Sequence, residues 1–135
     1  MAIIAIDFDG TIVTHEYPMV GKPVPMAKDV ICMLNDNGHT CFLWTMRDLV
    51  YLMEAKEYCT EHYIPIKHFN KSPSQFSTSP KQYAPVYIDD AALGCPLNYD
   101  PTYSKRPYVD WLEIAKYLTA RGLLTQDQLN TLLKH

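Results

Sequence analysis

The first apolar run, Ile3-Ile4-Ala5-Ile6, is continuous rather than alternating, and it ends in Asp7-Phe8-Asp9-Gly10-Thr11. A strand buried on both faces has this pattern, and such strands lie in parallel sheets covered by helices. Ala27, Val30, Ile31 and Leu34 then recur at spacings of three and four, which predicts a helix begun near Pro25 and ended at Gly38. His39 to Thr45 predicts a second strand. Leu49 to about Tyr63 predicts a second helix, with Asp48 as its cap and Leu49, Leu52, Met53 and Cys59 as its buried side. Ile64 to Phe69 predicts a short strand, restricted by Pro65 to an edge or a strand start. Pro85-Val86-Tyr87-Ile88 is a further apolar run and ends in Asp89-Asp90. A helix from Tyr108 to about Ala120, burying Trp111, Leu112, Ala115 and Leu118, stops at Gly122. The last helix has a capping box, Thr125 with Gln128, and a hydrophobic staple, Leu124 with Leu129. Strands alternating with helices predict an α/β fold with a mainly parallel sheet.

Composition narrows the class. At 135 residues, one domain spanning 1–135 is the expectation, large enough for a core without disulfides or structural metals. Apolar residues make up 47% and charged residues 20%, as in a globular protein. A net charge of −3 gives no general attraction to nucleic acid or anionic membrane. No apolar stretch approaches a membrane span, the chain enters its first strand without a signal-peptide pattern, and a cytoplasmic location is expected. Cys32, Cys41, Cys59 and Cys95 lack CxxC spacing and are read as reduced. There is no internal repeat and no interdomain linker. Residues 70–80, rich in Ser and Pro, and residues 91–107 are long loops of the kind that carry function.

The chemistry is concentrated in the acids. Asp7 with Asp9 and Asp89 with Asp90 each follow an apolar strand, and ligands of open α/β sheets bind beyond the carboxyl ends of strands. Four carboxylates at one sheet edge repel, so a hard divalent cation with oxygen ligands is the economical explanation. The five histidines show no HxH or HExxH spacing, which argues against zinc.

In these residues the sequence resembles the haloacid dehalogenase-like (HAD) superfamily of phosphatases. Asp7-Phe8-Asp9-Gly10-Thr11 looks like its first motif, Leu43-Trp44-Thr45 its second, Lys81 its third and Ile88-Asp89-Asp90 its fourth. The resemblance covers residues 3–90, and residues 91–135 match only as a generic final helix. It implies a Rossmann-like three-layer α/β/α fold and Mg²⁺-dependent hydrolysis of a phosphomonoester through an aspartyl-phosphate. In that reading Asp7 is the nucleophile, and Asp9 is the general acid and then base, holding a proton near neutral pH. Mg²⁺ is held by Asp7, the backbone carbonyl of Asp9, and Asp89 or Asp90. Thr45 hydrogen-bonds the phosphoryl group and Lys81 neutralises it, with Lys71 as the reserve choice. Gly10, Thr11, Met46 and Arg47 are candidate substrate contacts, although Arg47 in an exposed salt bridge is an equal alternative. The intervals between motifs are too short for the superfamily's large caps, so the site is expected to be capless or covered by loops or a partner subunit.

The implied substrate is a small phosphorylated metabolite or a larger phosphorylated molecule. A polynucleotide end, as in the 3′-phosphatases of the superfamily, is less favoured, because the chain has no broad basic stripe. A non-catalytic protein that binds Mg²⁺ or phosphate is the other alternative, and the intact Asp9 argues against it. Tyr99, Tyr103, Lys105 and Arg106 are candidates for a recognition patch. The sequence leaves the substrate and the oligomeric state open.

Overall fold

The continuous apolar run forms β1 (Ile3–Ile6), and all four of its residues are buried. A computed structural model describes residues 1–135. Between β1 and the next strand, β2 (Thr40–Leu43), lies helix α1 (Ala27–Asp36). Helix α2 (Leu49–Glu61) precedes β3 (Val86–Ile88). These strands form a parallel sheet in the order β2-β1-β3. Its register matters for function, because Ile6 stands opposite Leu43 on one side and Ile88 on the other. The three strands therefore end at one level, and Asp7, Trp44 and Asp89 start from the same sheet edge. The exits are tied together, with Asp7 N donating to the Ile88 carbonyl at 2.9 Å and Trp44 N to the Ile6 carbonyl at 2.8 Å.

Alternate residues of a strand face opposite sides, and the two sides are packed unequally. Ile4, Ile6, Leu43 and Ile88 join a cluster of 27 buried residues fed by α1, α2, α3 (Trp111–Ala120) and α4 (Gln126–Leu133). On the other side Ile3, Ala5 and Phe42 meet only Ala84, with Trp44 packed alongside. No helix contributes to that smaller cluster, so the outer layer expected there is supplied by the segment leading into β3.

Local signals are obeyed where they are strong. Ala27, Val30, Ile31 and Leu34 are the buried face of α1, and Gly38 follows its end at φ +85°. Both bonds of the Thr125–Gln128 capping box form at α4, and Leu124 and Leu129 are buried.

Three expectations need correction. Residues 64–69 do not form a strand. Only one rung is made, Phe69 bridging to Leu43, with Leu43 N donating to the His68 carbonyl and Asn70 N to the Leu43 carbonyl. The helix expected from Tyr108 starts at Trp111, because Tyr108–Val109 form β5, antiparallel to β4 (Leu97–Asn98). Asp110 is the cap that sets this start, accepting from Glu113 N at 3.1 Å. The buried side of α2 is Ala55, Tyr58 and Cys59, whereas Leu49 is 83% exposed and Met53 57%. Leu52, also expected on that side, is half-buried against the core. Asp48 occupies the cap position of α2 without a side-chain cap bond. The four cysteines are free, and no helix is long and apolar enough to cross a membrane.

Candidate active site

Asp7 leaves β1, and Asp89 and Asp90 leave β3. One oxygen from each of these three carboxylates lies within 4.8 Å of the others. The approach depends on Gly10, at φ +81°, where an added Cβ would lie 2.2 Å from Asp90 Oδ2. Thr11 is buried and joins the two acidic segments. Its hydroxyl donates to Asp7 Oδ2 at 3.1 Å and accepts from Asp90 N at 3.2 Å. Gly10 and Thr11, candidates for substrate contact, are thus occupied in spacing and bridging the acids.

The cluster is costly as a set of anions. Burial pushes the Asp7 carboxyl up to about 9, assisted by its hydrogen bond with Asp90 and by the charges of Asp89 and Asp90. Asp90 is also raised, chiefly by burial. Three hard oxygen donors at this spacing could hold a metal ion.

Asp9 points elsewhere. Both its oxygens accept from Arg47, Nε at 2.7 Å and Nη2 at 2.8 Å. Arg47 is only 1% exposed, so it is neither a surface ion pair nor free to reach substrate. Its other donors go to the carbonyls of Pro18, Met19 and Tyr51. The guanidinium lies over the rings of Phe8 and Tyr17, at 5.2 and 5.1 Å from their centroids. The loop Pro18–Met19, the start of α2 and the Asp9 turn are therefore fastened by one side chain.

Thr45 faces the cavity, held by Asn70. The Asn70 side-chain oxygen accepts from Thr45 N at 2.8 Å, and its amide donates to the Arg47 carbonyl at 3.1 Å. Asn70 sits at φ +56°, a conformation Asn tolerates better than most residues. Met46, between Thr45 and Arg47, is 97% exposed at the rim.

The open cavity these residues enclose has a volume of about 460 Å³. Asp7, Asp9, Thr45, Met46, Arg47, Asp89 and Asp90 line it together with His15, Tyr17, Ala91 and Arg106. Neither Lys81 nor Lys71 is among its lining residues. Lys81 is exposed and lies 5.3 Å from the ring centroid of Tyr87, mid-strand in β3. Of the four residues in the suggested recognition patch, only Arg106 lines the cavity. Tyr103 packs against Tyr108 and lies under Lys22.

Sequence reasoning missed Asn70, His15, Tyr17 and Trp111. Trp111 is 1% exposed, and its Nε1 donates to the Thr11 carbonyl at 2.7 Å. Val109 N donates to the Gly10 carbonyl at 3.0 Å. The C-terminal third thus braces the loop that carries Asp7 and Asp9. A buried Trp needs an acceptor, but sequence alone does not say which.

No family model matches the chain, and no curated protein matches it significantly. A conserved protein from Bacteroides thetaiotaomicron, of solved structure, is 31% identical and superposes with a TM-score of 0.71. The match covers 95% of this chain and 96% of the Bacteroides protein. The chain belongs to the same family as that protein. Similarity over nearly the full length of both means that the relationship to the Bacteroides relative includes the C-terminal region that braces the acidic loop.

Proposed function

We propose that this protein is a Mg²⁺-dependent phosphomonoester hydrolase of the HAD-like type, without a large cap domain. The observation that carries the reading is the convergence of Asp7, Asp89 and Asp90 at adjacent parallel strand ends, with Thr45 in the same cavity. Asp7, Asp89 and Asp90 would hold the cation, which when bound would keep Asp7 ionised and offset the phosphoryl charge. An Asp7 oxygen attacks phosphorus, and the P–O bond to the leaving group breaks as an aspartyl-phosphate forms on Asp7. Water then attacks that phosphorus, gives a proton to Asp9, and phosphate departs as the Asp7 carboxylate is restored. The Thr45 hydroxyl is available to hydrogen-bond the phosphoryl oxygens.

The Arg47 pair bears on Asp9 differently in the two steps. As a base, Asp9 has a lone pair to spare on each oxygen. As an acid it must carry a proton on that lone pair, which removes the charge attraction to Arg47. Protonation of the leaving group is then the weaker step, so turnover should favour esters whose leaving groups need little protonation. The open cavity, with Met46 exposed at its rim, also accommodates a large leaving group.

The test is hydrolysis of a series of aryl and alkyl phosphates with and without Mg²⁺, using wild type and Asp7→Asn. Mg²⁺-dependent release of phosphate, fastest from nitrophenyl phosphate and abolished in the variant, is the expected outcome. Turnover by a verified Asp7→Asn sample, or turnover unaffected by EDTA, would overturn the route. Mg²⁺ binding without hydrolysis of any ester would favour the non-catalytic reading.

A further inference from the structure

The cavity brings together four carboxylates and two guanidinium groups. Arg47 is fully engaged by Asp9 and by three backbone carbonyls. Arg106 is different. It forms no ion pair, although its side chain borders the same acid-lined space. Its Nη1 lies 3.2 Å from His15 Nε2. A guanidinium can only donate, so in this contact Nε2 of His15 accepts, and the ring steers the arginine. His15 follows the buried Thr14, whose hydroxyl accepts from Lys22 N at 2.9 Å.

The backbone of Arg106 is also fixed. The buried Ser104 hydroxyl donates to the Arg106 carbonyl at 2.8 Å and accepts from Arg106 N at 3.3 Å. Pro107 follows directly, and β5 after it is bonded to Gly10 through Val109. The mount of Arg106 is therefore registered to the loop carrying Asp7. Yet Arg106 is exposed while Asp7 is partly buried, so the arginine stands at the mouth rather than the floor. A cation at the mouth, with a rigid backbone and no protein counter-ion, faces the part of an ester that projects out of the site.

Building on the phosphatase reading, we infer that Arg106, steered by His15, is a specificity-determining residue, and that the preferred ester carries a second oxyanion on its leaving-group side. Carboxylate and phosphate both match a guanidinium fork. An anion there would meet net repulsion from the carboxylates if Arg106 were removed.

The experiment compares phenyl phosphate, 4-carboxyphenyl phosphate and 4-phosphonophenyl phosphate, in Mg²⁺, with wild type, Arg106→Met and Lys105→Met. Wild type should prefer one of the two anionic esters over phenyl phosphate by about tenfold or more in kcat/KM, the size of a charge-assisted hydrogen bond. Whichever is preferred tells carboxylate from phosphate. Arg106→Met should bring the ratio to about one or below, while Lys105→Met, altering an exposed neighbour that does not line the cavity, should keep it. Phenyl phosphate turned over with no preference for either anionic ester would overturn this inference and leave the phosphatase reading standing. An equal loss on all three esters in Arg106→Met would also overturn it, placing the arginine on the transferred phosphoryl group. No hydrolysis of any ester would refute the phosphatase reading and this inference with it.

Discussion

Arg47→Met isolates the most consequential contact in the molecule. Methionine keeps an unbranched stem between Phe8 and Tyr17 but removes every donor. Asp9, whose side chain is 12% exposed, is left as an uncompensated carboxylate. Removing one partner of a buried pair costs about 3–5 kcal/mol, most of it the stranded charge. The carbonyls of Pro18, Met19 and Tyr51 add less, because those residues are exposed and water can replace the lost donors. Against a total stability of about 5–15 kcal/mol, such a loss is large but survivable. With a urea slope of about 2 kcal/mol per molar, a loss of about 4 kcal/mol lowers the unfolding midpoint by about 2 M at unchanged slope. Asp9→Asn added to Arg47→Met removes the stranded charge and should restore at least about 1 kcal/mol, measured as a double-mutant cycle. A single-variant loss below about 1 kcal/mol would refute the argument, because that is the range of a solvated surface pair.

The Asp7 cluster should make the metal-free protein pH-sensitive. Folded Asp7 keeps its proton to about pH 9, whereas the unfolded chain releases it near 3.8. The associated stability is complete below pH 3.8 and is lost as pH rises toward 9. In EDTA the thermal midpoint of wild type should therefore fall between pH 5 and pH 9 more steeply than that of Asp7→Asn, and identical slopes would count against the raised carboxyl. Gly10→Ala places a methyl group 2.2 Å from Asp90 Oδ2 at a positive φ. It should cost about 1–3 kcal/mol and weaken Mg²⁺ binding by calorimetry, and a wild-type Mg²⁺ affinity would show that the acids do not need this close approach.

What was legible in the sequence follows the reach of the forces involved. β1, α1 and α4 are specified by period and caps, so Ile3–Ile6, the Ala27–Leu34 face and the Thr125 box could be read locally. Asp7, Asp89 and Asp90 could be read because each closes an apolar strand, and parallel register does the rest. The two-residue β5 is set by its rungs to β4 and a bond to Gly10, neither visible in Tyr108–Val109 themselves. On α2 Cys59 and Leu52 were placed on the core side correctly, whereas Leu49 and Met53, apolar but exposed, were not. Arg47 was read as a substrate contact or an exposed salt bridge, since charged side chains are seldom fully buried, and only the folded chain brings Asp9 and three carbonyls around it. Lys81 was chosen by its place in the chain, which carries no information on where an exposed loop turns.

The bond from Trp111 to the Thr11 carbonyl spans 100 residues, and β1 finds its β3 partner only when Val86 to Ile88 arrive. Contacts this far apart in the chain are slow to form, because loop closure precedes any gain from pairing. During synthesis β1 is made before β3, and one of its edges stays unpaired until Val86 to Ile88 have emerged. An apolar strand with an open edge is a template for pairing with other chains. The segment that carries Asp7 is thus also the one most exposed to misassembly, and the nascent chain is safest when β3 and Trp111 follow without delay.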